Sequence, residues 1–249
     1  MTQPTRVALI TGGIGGIGTA ICQRLAKEGC RVVANHHPAE QEAADAWRAA
    51  RAEEGLEIDT VAGDVSSFDD SQRMIGEVQE RYGSVDVLVN CAGITRDKTF
   101  KKMEQSHWEA VLDVNLNSVF NATRPVWEGM LERGFGRVIN ISSVNAQRGQ
   151  FGQANYSTAK AGMHGFTMAL AQEGAAKGVT VNTVSPGYVE TAMTLAMRDE
   201  VRDAIISGIP MRRMGSPEEI ASTVAFLVAE ENGYVTGANI PVNGGLFMH

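Results

Sequence analysis

The chain has 249 residues, of which 43% are hydrophobic and 20% charged, the composition of an ordinary globular protein. Its formal net charge of −7 disfavours a nucleic-acid-binding protein, which would present a basic face. No run of eighteen apolar residues occurs, and the start lacks the basic-then-apolar pattern of a secretory signal, so we expect a cytoplasmic protein that does not enter the membrane.

One pattern recurs along the chain: one or two charged residues and a glycine are followed by a short apolar run. Lys27-Glu28-Gly29, for example, precedes Arg31-Val32-Val33-Ala34, and glycine suits the left-handed conformation that ends a helix. The runs are β-branched and do not alternate, as in strands buried on both faces. The predicted strands lie near 6–10, 31–34, 57–62, 85–90, 136–141, 180–184 and 238–242. Repeated strand, helix and strand predict an α/β fold: one Rossmann-type domain over 1–249, with a doubly wound parallel sheet of about seven strands and helices on both faces.

The helices between the strands carry recognisable start and stop signals. Ser106-x-x-Glu109 and Ser216-Pro217-Glu218-Glu219 are predicted capping boxes, the second with proline at the first helical position. Pro125 lies inside the helix that follows Ser106 and is predicted to kink or divide it.

A glycine-rich turn follows the first predicted strand and opens the first helix. Glycines at such a turn let the backbone approach a pyrophosphate, which the free N–H groups of the helix start then stabilise. The context of strand before and helix after makes a dinucleotide site the favoured interpretation. The residues of the turn that we expect to bind the cofactor are Gly12, Gly13, Ile14, Gly16, Ile17 and Gly18.

The end of the second strand bears on the choice of cofactor. It reads Asn35-His36-His37-Pro38, without the acidic residue that would bind the adenosine ribose of NAD and repel a 2′-phosphate. We therefore predict NADP(H) in preference to NAD, with Asn35 and a partly protonated His36 or His37 as contacts of the phosphate. Equally open is that the two histidines are only solvated. Since they are adjacent rather than one helical turn apart, a surface loop is favoured over a metal site, and no metal is predicted.

Two further turns are expected at the same edge of the sheet, where open α/β sheets bind ligands. Asp64 and Val65 follow the third strand and are predicted to contact the adenine. Asn90-Cys91-Ala92-Gly93 follows the fourth strand, and Asn90, Ala92 and Gly93 are predicted to border the cofactor.

A serine, a tyrosine and a lysine make up the candidate catalytic group. Ser143 closes the fifth strand, and Tyr156 and Lys160 lie four residues apart, on one face of a helix. An ammonium beside a phenol is expected to lower the tyrosine pKa, so that the phenol exchanges a proton near neutral pH. Ser143 would hydrogen-bond the substrate carbonyl oxygen and hold its carbon for hydride transfer.

Together these motifs resemble those of the short-chain dehydrogenase/reductase family over essentially the whole chain. The resemblance implies a catalytic tetrad of Ser143, Tyr156, Lys160 and Asn115, in which Tyr156 is the acid, Lys160 binds the nicotinamide ribose, and Asn115 holds a relay water. It also implies cofactor contacts by Pro186, Gly187, Val189 and Thr191. The chain departs from the common family pattern at Cys91, where asparagine is usual, and at Gly15, where many NADP-using members carry arginine.

Within that family the chain more closely resembles the acetoacetyl-CoA reductases of polyhydroxybutyrate synthesis, through stretches such as Asn140–Asn145 and Gly149–Gln153. This resemblance implies reduction of acetoacetyl-CoA by NADPH. The implied substrate contacts are Asp97, Lys102, Ser143, Gln150, Phe151, Gln153 and Tyr188. The segment 96–102 is basic and would attract the phosphates of CoA. That it is only a solvated charged loop is an equally open alternative.

Three other functions stay open at this point. A 3-oxoacyl-acyl-carrier-protein reductase has the same fold, tetrad and reaction, and a sugar or alcohol dehydrogenase uses the same scaffold. A cofactor-binding sensor would catalyse nothing, but it would not need the four catalytic groups together. Family resemblance also implies a homotetramer, with helices near 106–133 and 153–176 as interfaces.

Overall fold

A computed structural model describes residues 5–248, which form one seven-stranded sheet flanked by helices. Every pair of neighbouring strands is parallel. The strands are β1 (Val7–Thr11), β2 (Arg31–His36), β3 (Ile58–Ala62), β4 (Val87–Asn90), β5 (Gly136–Ile141), β6 (Val179–Pro186) and β7 (Asn239–Val242). Their order across the sheet is β3-β2-β1-β4-β5-β6-β7, so the direction of winding reverses between β1 and β4. Ligands of doubly wound sheets bind at such a switch point, beyond the carboxyl ends of the strands.

Ten α-helical segments accompany the strands of the described chain. They are α1 (Gly16–Lys27), α2 (Gln41–Glu53), α3 (Phe68–Tyr82), α4 (Gln105–Leu112), α5 (Ser118–Arg133), α6 (Asn145–Arg148), α7 (Ala154–Gly174), α8 (Ala192–Leu195), α9 (Asp199–Gly208) and α10 (Pro217–Val228). None of the described helices is both long and apolar enough to cross a membrane.

The sheet separates two hydrophobic clusters, one on each face. Side chains alternate along a strand, so Ala8 and Ile10 of β1 lie in the cluster with α1 and α10, whereas Val7 and Leu9 lie in the cluster with α3 and α5. Burial of both faces explains why the strands read as continuous apolar runs, and all five residues of β1 are buried. The predicted fold is confirmed, and each predicted strand overlaps an observed one.

Two of the helix predictions need correction. The capping box at Ser216 and Glu219 is present, but the one predicted at Ser106 is wrong, because α4 begins two residues earlier than a cap at Ser106 requires and Glu104 and His107 form its capping box. Pro125 lies within a continuous α5, and the division predicted there lies upstream, at a π-helical stretch, Asp113–Asn117.

Candidate active site

The glycine-rich turn links β1 to α1 by close contacts between main-chain segments. Gly12 has a left-handed φ of +61°, and a Cβ there would lie 2.9 Å from the Cα of Ala92. A Cβ on Gly18 would overlap the carbonyl oxygen of Gly12. The hydroxyl of Thr11 accepts hydrogen bonds from the N–H groups of Cys91 (3.0 Å) and Ala92 (3.1 Å), so the turns after β1 and β4 form one unit. Only glycine fits at positions 12 and 18, where main-chain atoms of other residues lie this close.

The start of α1 has the properties of a site for an anionic ligand. Gly15 precedes the helix, and no described side chain caps it. The first turn contains no acidic residue, and a Cβ on Gly16 would lie 3.0 Å from the Cγ2 of Thr191, which places residue 191 beside the turn. Uncapped N–H groups and the positive end of the helix dipole attract phosphate groups. These residues therefore fit the pyrophosphate of a dinucleotide.

At the end of β2, two of the predicted phosphate contacts have buried side chains. Asn35 is 2% exposed, its Oδ1 accepts from the N–H of Gly12 (3.2 Å), and its Nδ2 donates to the carbonyl of Gly63 (2.9 Å). His36 is 1% exposed within β2 rather than in a surface loop. Asn35 therefore ties β2 to the turns after β1 and β3, and Nδ1 of His36 lies 3.0 Å from the carbonyl of His37. Burial of both side chains favours His37 over them as a phosphate contact. His37 is exposed and remains the one histidine of this pair available for that role.

Asp64 lies at the same edge, in the turn after β3. Its Oδ1 accepts hydrogen bonds from the N–H (2.9 Å) and the hydroxyl (2.7 Å) of Ser66, which fixes the carboxylate as a turn-stabilising group. Its Oδ2 lies 3.9 Å from Nε2 of His37. Val65 is buried beside this turn. Asp64 and His37 therefore stand together, at the mouth of the predicted adenosine site.

Asn90 plays a different part from its two neighbours in the predicted cofactor site. Its side chain is 3% exposed, and its Nδ2 donates to Oδ1 of Asn140 (2.8 Å) and Oγ1 of Thr123 (3.2 Å). Its Nδ2 thus ties β4 to β5 and α5. Gly93 lies deeper in the site, since a Cβ there would approach Oδ1 of Asn115 (3.3 Å) and Nζ of Lys160 (3.5 Å).

Lys160 and Tyr156 lie together on α7, next to the end of β5. Lys160 is 3% exposed, its Nζ donates to the carbonyl of Ile141 (2.7 Å), and it lies 5.8 Å from the centroid of the Tyr156 ring. Burial lowers the pKa of Lys160 to about 8. Ser143 is 8% exposed at the end of β5, and its Oγ accepts from the N–H of Asn145 (3.1 Å), which leaves its own proton for another acceptor. The three predicted catalytic groups are thus neighbours.

The predicted effect on Tyr156 is wrong in sign. Burial raises the pKa of the phenol, with smaller contributions in the same direction from Asp97 and Cys91, and the hydrogen bond to Ser143 opposes them. Nζ of Lys160 lies 5.8 Å from the ring centroid and donates to the carbonyl of Ile141, so it does not offset the desolvation of the phenol. Tyr156 is therefore a neutral phenol near pH 7, which is the form of a proton donor.

Asn115 reaches the same site because the backbone departs from regular α-helix. It lies in the π-helical stretch between α4 and α5 and is fully buried. Its Oδ1 accepts from the N–H of Ile94 (2.7 Å), and its Nδ2 donates to the carbonyl of Ile94 (2.8 Å). Single π-turns inside helices often occur at functional sites, because they re-aim one residue. Here the turn holds Asn115 against Gly93, beside Lys160.

The segment after β6 forms the other wall of the cleft. Pro186 ends the strand, and a Cβ on Gly187 would lie 2.8 Å from the Cα of Asn243, so β6 and the chain after β7 approach closely. Val189 is buried in a bridge with Gly215. Thr191 caps α8 and faces Gly16, which sets this wall opposite the start of α1.

The predicted substrate residues do not form one cluster. Gln153 contacts the predicted Asp97, because its Nε2 donates to Oδ2 of that residue (2.8 Å), and its Oε1 accepts from Nδ2 of Asn145 (2.9 Å). Gln150 and the exposed Phe151 line an open groove of about 400 Å³ together with Lys98 and Phe100. Lys102, in a short 3₁₀ turn, and Tyr188 are not among the residues that line this groove.

Several residues that organise the site were missed by the sequence analysis. Asn155 is fully buried, its Nδ2 donates to the carbonyls of Arg96 (3.1 Å) and His107 (2.9 Å), and its Oδ1 accepts from the N–H of Tyr156. It therefore joins the catalytic helix to the segment after β4. An asparagine at a helix start ordinarily suggests a cap, so only the spatial approach of these segments reveals its role. Ser142 and His164 were missed for the same reason.

No group of three histidine, cysteine or acidic side chains in the described part of the chain is arranged to hold a metal ion.

Residues 6–202 match the family model for short chain dehydrogenases. An acetoacetyl-CoA reductase of Allochromatium vinosum is 76% identical over 98% of this chain and 99% of its own length. One from Cupriavidus necator is 56% identical over the full length of both chains. A 3-oxoacyl-[acyl-carrier-protein] reductase of Vibrio cholerae is 42% identical, also over full length.

Proposed function

The chain belongs to the short-chain dehydrogenase family, and on that premise we propose that it reduces acetoacetyl-CoA to (R)-3-hydroxybutyryl-CoA with NADPH. The observation that carries the proposal is the meeting of Ser143, Tyr156, Lys160 and Asn115 beside an uncapped, glycine-lined helix start. The names of the relatives at 76% and 56% identity support the choice of substrate. Polyhydroxybutyrate synthesis in the cytoplasm is the corresponding physiological setting, with 1–249 as one catalytic domain.

Each catalytic side chain has one task in this reaction. The bound nicotinamide supplies a hydride to the carbonyl carbon. Ser143, whose Oγ already accepts from the N–H of Asn145, donates a hydrogen bond to the carbonyl oxygen and keeps its proton. Tyr156 delivers the proton that the oxygen requires, since burial keeps its phenol neutral. Lys160 holds the nicotinamide ribose and passes a proton to Tyr156, and Asn115 orders the water that connects Lys160 with solvent.

The rest of the cleft binds the cofactor. The turn 12–18 and Thr191 hold the pyrophosphate, Asp64 and Val65 the adenine, and the main chain of 90–93 together with 186–189 the nicotinamide half. NADP is preferred because the sequence after β2 has no acid before Glu40, whose carboxylate accepts a hydrogen bond from the N–H of His37. His37 itself is the proposed contact of the 2′-phosphate.

The acyl thioester lies on the other side of the nicotinamide. Gln153, oriented by Asp97 and Asn145, and Gln150, Phe151 and Tyr188 contact the acetoacetyl group. Lys102 binds a phosphate of CoA, in a basic segment of an otherwise acidic protein.

The proposed assembly is a homotetramer formed through α5 and α7. Phe120 on α5 is 51% exposed and stacks on Phe68, and Met168 on α7 is 53% exposed. Large apolar side chains at the surface of neighbouring helices are typical of interfaces between subunits.

Steady-state kinetics with acetoacetyl-CoA test the proposal, with NADPH and NADH compared side by side. We expect NADPH oxidation with a kcat/KM well above that for NADH. A folded protein that binds NADPH and never oxidises it would instead be a sensor.

A second candidate is the reduction of 3-oxoacyl groups carried by acyl carrier protein, which the relative at 42% identity favours. The two carriers present the same thioester, so the tetrad cannot discriminate between them. Rates on acetoacetyl-CoA and on acyl-carrier-protein substrates of increasing chain length separate the two functions. A higher kcat/KM for the carrier-protein substrates would replace the first proposal by the second.

A further inference from the structure

His164 is a half-buried histidine on the catalytic helix that the proposed reaction does not use. It follows Lys160 by one turn of α7, so the two side chains share a face of the helix. Its Nε2 lies 3.0 Å from Oγ of Ser142 and 3.5 Å from Oγ of Ser185. The ring therefore contacts the ends of β5 and β6, directly behind the catalytic residues.

The hydrogen bonds of Ser142 decide which nitrogen of His164 carries a proton. The Ser142 hydroxyl donates its only proton to the main-chain carbonyl of Lys160, at 2.9 Å. A carbonyl can only accept, so the Ser142 oxygen can serve His164 only as an acceptor. Nε2 of His164 must then be the donor. Ser185 repeats the pattern, because its hydroxyl donates to Oδ1 of Asn239 at 2.6 Å.

Three consecutive residues at the end of β5 contact α7 one after another. The carbonyl of Ile141 accepts from Nζ of Lys160, the hydroxyl of Ser142 donates to the main chain of Lys160, and Ser143 hydrogen-bonds the phenol of Tyr156. His164 adds a fourth contact between α7 and the end of β5, because its Nε2 hydrogen-bonds the Ser142 oxygen. The spacing between Ser143, Tyr156 and Lys160 therefore depends on Ser142 being fixed.

We propose that His164 is a positioning residue, whose Nε2–H fixes Ser142 and thereby holds the Lys160 turn of α7 against the end of β5. The proposal rests on the proposed function for the identity of the reacting groups. The hydrogen bond from His164 to Ser142 does not depend on that function. Burial lowers the pKa of His164, so the ring is neutral near pH 7 and its single proton lies on Nε2.

The first test concerns the tautomer and needs no catalytic activity. Long-range proton–nitrogen NMR spectra of the full chain give the protonation state of each imidazole nitrogen, and His164→Gln identifies the signals of this ring. We expect a neutral Nε2–H tautomer at pH 7. An Nδ1–H tautomer, or a freely exchanging ring, overturns the proposal.

The second test separates positioning from a structural role. We expect His164→Leu to lower kcat about tenfold, the loss of one hydrogen bond, with the KM for NADPH within about twofold. His164→Gln keeps a donor at a similar reach and is expected to recover most of kcat. Ser142→Ala also removes the hydrogen bond to the carbonyl of Lys160, so it is expected to be at least as slow as His164→Leu. The double variant is expected to be no slower than Ser142→Ala, since His164 acts through Ser142.

Three results count against the proposal: an unchanged kcat in His164→Leu, no recovery in His164→Gln, or additive losses in the double variant. If His164→Leu does not fold, the comparison of Ser142→Ala with His164→Gln and their double variant replaces it. If acetoacetyl-CoA is not reduced at all, the proposed function fails, while the tautomer still decides the role of His164.

Discussion

At the scale of single residues, burial sets the charge states of the site. The pKa of Tyr156 is raised and that of Lys160 is lowered to about 8, and desolvation is the main cause of both. The pair is therefore a neutral phenol beside an ammonium that loses its proton readily, which suits the proposed proton relay toward a carbonyl oxygen.

Replacement of Tyr156 by phenylalanine removes the proton donor and leaves the ring in place. We expect kcat for acetoacetyl-CoA to fall by about 10²- to 10⁴-fold, the usual contribution of general acid catalysis. Binding of NADPH, followed by fluorescence titration, is expected to persist. Tyr234→Phe is the matched control, because that side chain is fully exposed and its loss should leave turnover unchanged. Near-normal turnover in Tyr156→Phe would refute the assignment.

The pH dependence of reduction follows from the lowered pKa of Lys160. Lysine is charged below its pKa, so the ammonium is present below pH 8 and is lost as the pH rises through about 8. Tyr156 stays protonated over this range, because its pKa is raised. We therefore expect kcat/KM for NADPH, which reports ionisations of the free enzyme, to fall above about pH 8. A flat profile up to pH 10 would show that the charge of Lys160 is not required.

At the scale of elements, the turn between β1 and α1 depends on glycines at specific approaches. Gly18 is the tightest of these positions, because its Cα faces the carbonyl of Gly12 within the same turn. A side chain there would push the start of α1 away from β1 and from the position of the pyrophosphate.

We expect Gly18→Ala to abolish binding of NADPH measured by fluorescence and to lower the melting temperature. Gly76→Ala in α3 is the matched control, since no described atom beyond its neighbours and the adjacent backbone of α3 lies within 4 Å of a Cβ at that position. Alanine in the interior of a helix is favoured over glycine, so the control is expected to gain about 0.5–1 kcal/mol of unfolding free energy. Unchanged NADPH affinity in Gly18→Ala would contradict the proposed binding role of this turn.

At the scale of the whole molecule, the parallel sheet gathers the turns from distant parts of the sequence at one edge. The basic segment 96–102 follows β4 at this edge, whereas Lys177 precedes β6 at the opposite edge. An acidic protein with a local basic segment beside its cleft attracts a phosphorylated substrate there.

This charge distribution bears on the affinity of the protein for the CoA carrier of the acyl group. We expect Lys102→Ala to raise the KM for acetoacetyl-CoA several-fold, while the KM for NADPH stays within about twofold, because one phosphate contact is lost. Lys177→Ala removes the same charge at the far edge and is expected to change neither constant. Equal KM values for acetoacetyl-CoA in Lys102→Ala and the parent chain would remove Lys102 from the CoA site.

The local pattern of the sequence was sufficient for the elements and for the main motifs. Apolar runs and glycine punctuation determine the strands, because burial of both faces of a sheet leaves no polar alternation. The spacing of Tyr156 and Lys160 places both on one helical face, because the helix repeats every 3.6 residues. The glycines of the motif from Thr11 to Gly18 predict a close approach between main-chain segments, because a residue type with a Cβ does not permit one.

Tertiary structure decided what depends on contacts between distant segments. Burial reversed the predicted shift in the pKa of Tyr156, withdrew Asn35 and His36 from the surface, and joined Asn155 to the segment after β4. The π-turn brought Asn115 to Gly93, and the approach of α7 to β5 gave His164 its serine partners. Desolvation and hydrogen-bond partnership are properties of what surrounds a residue in space, and its neighbours in sequence do not determine them.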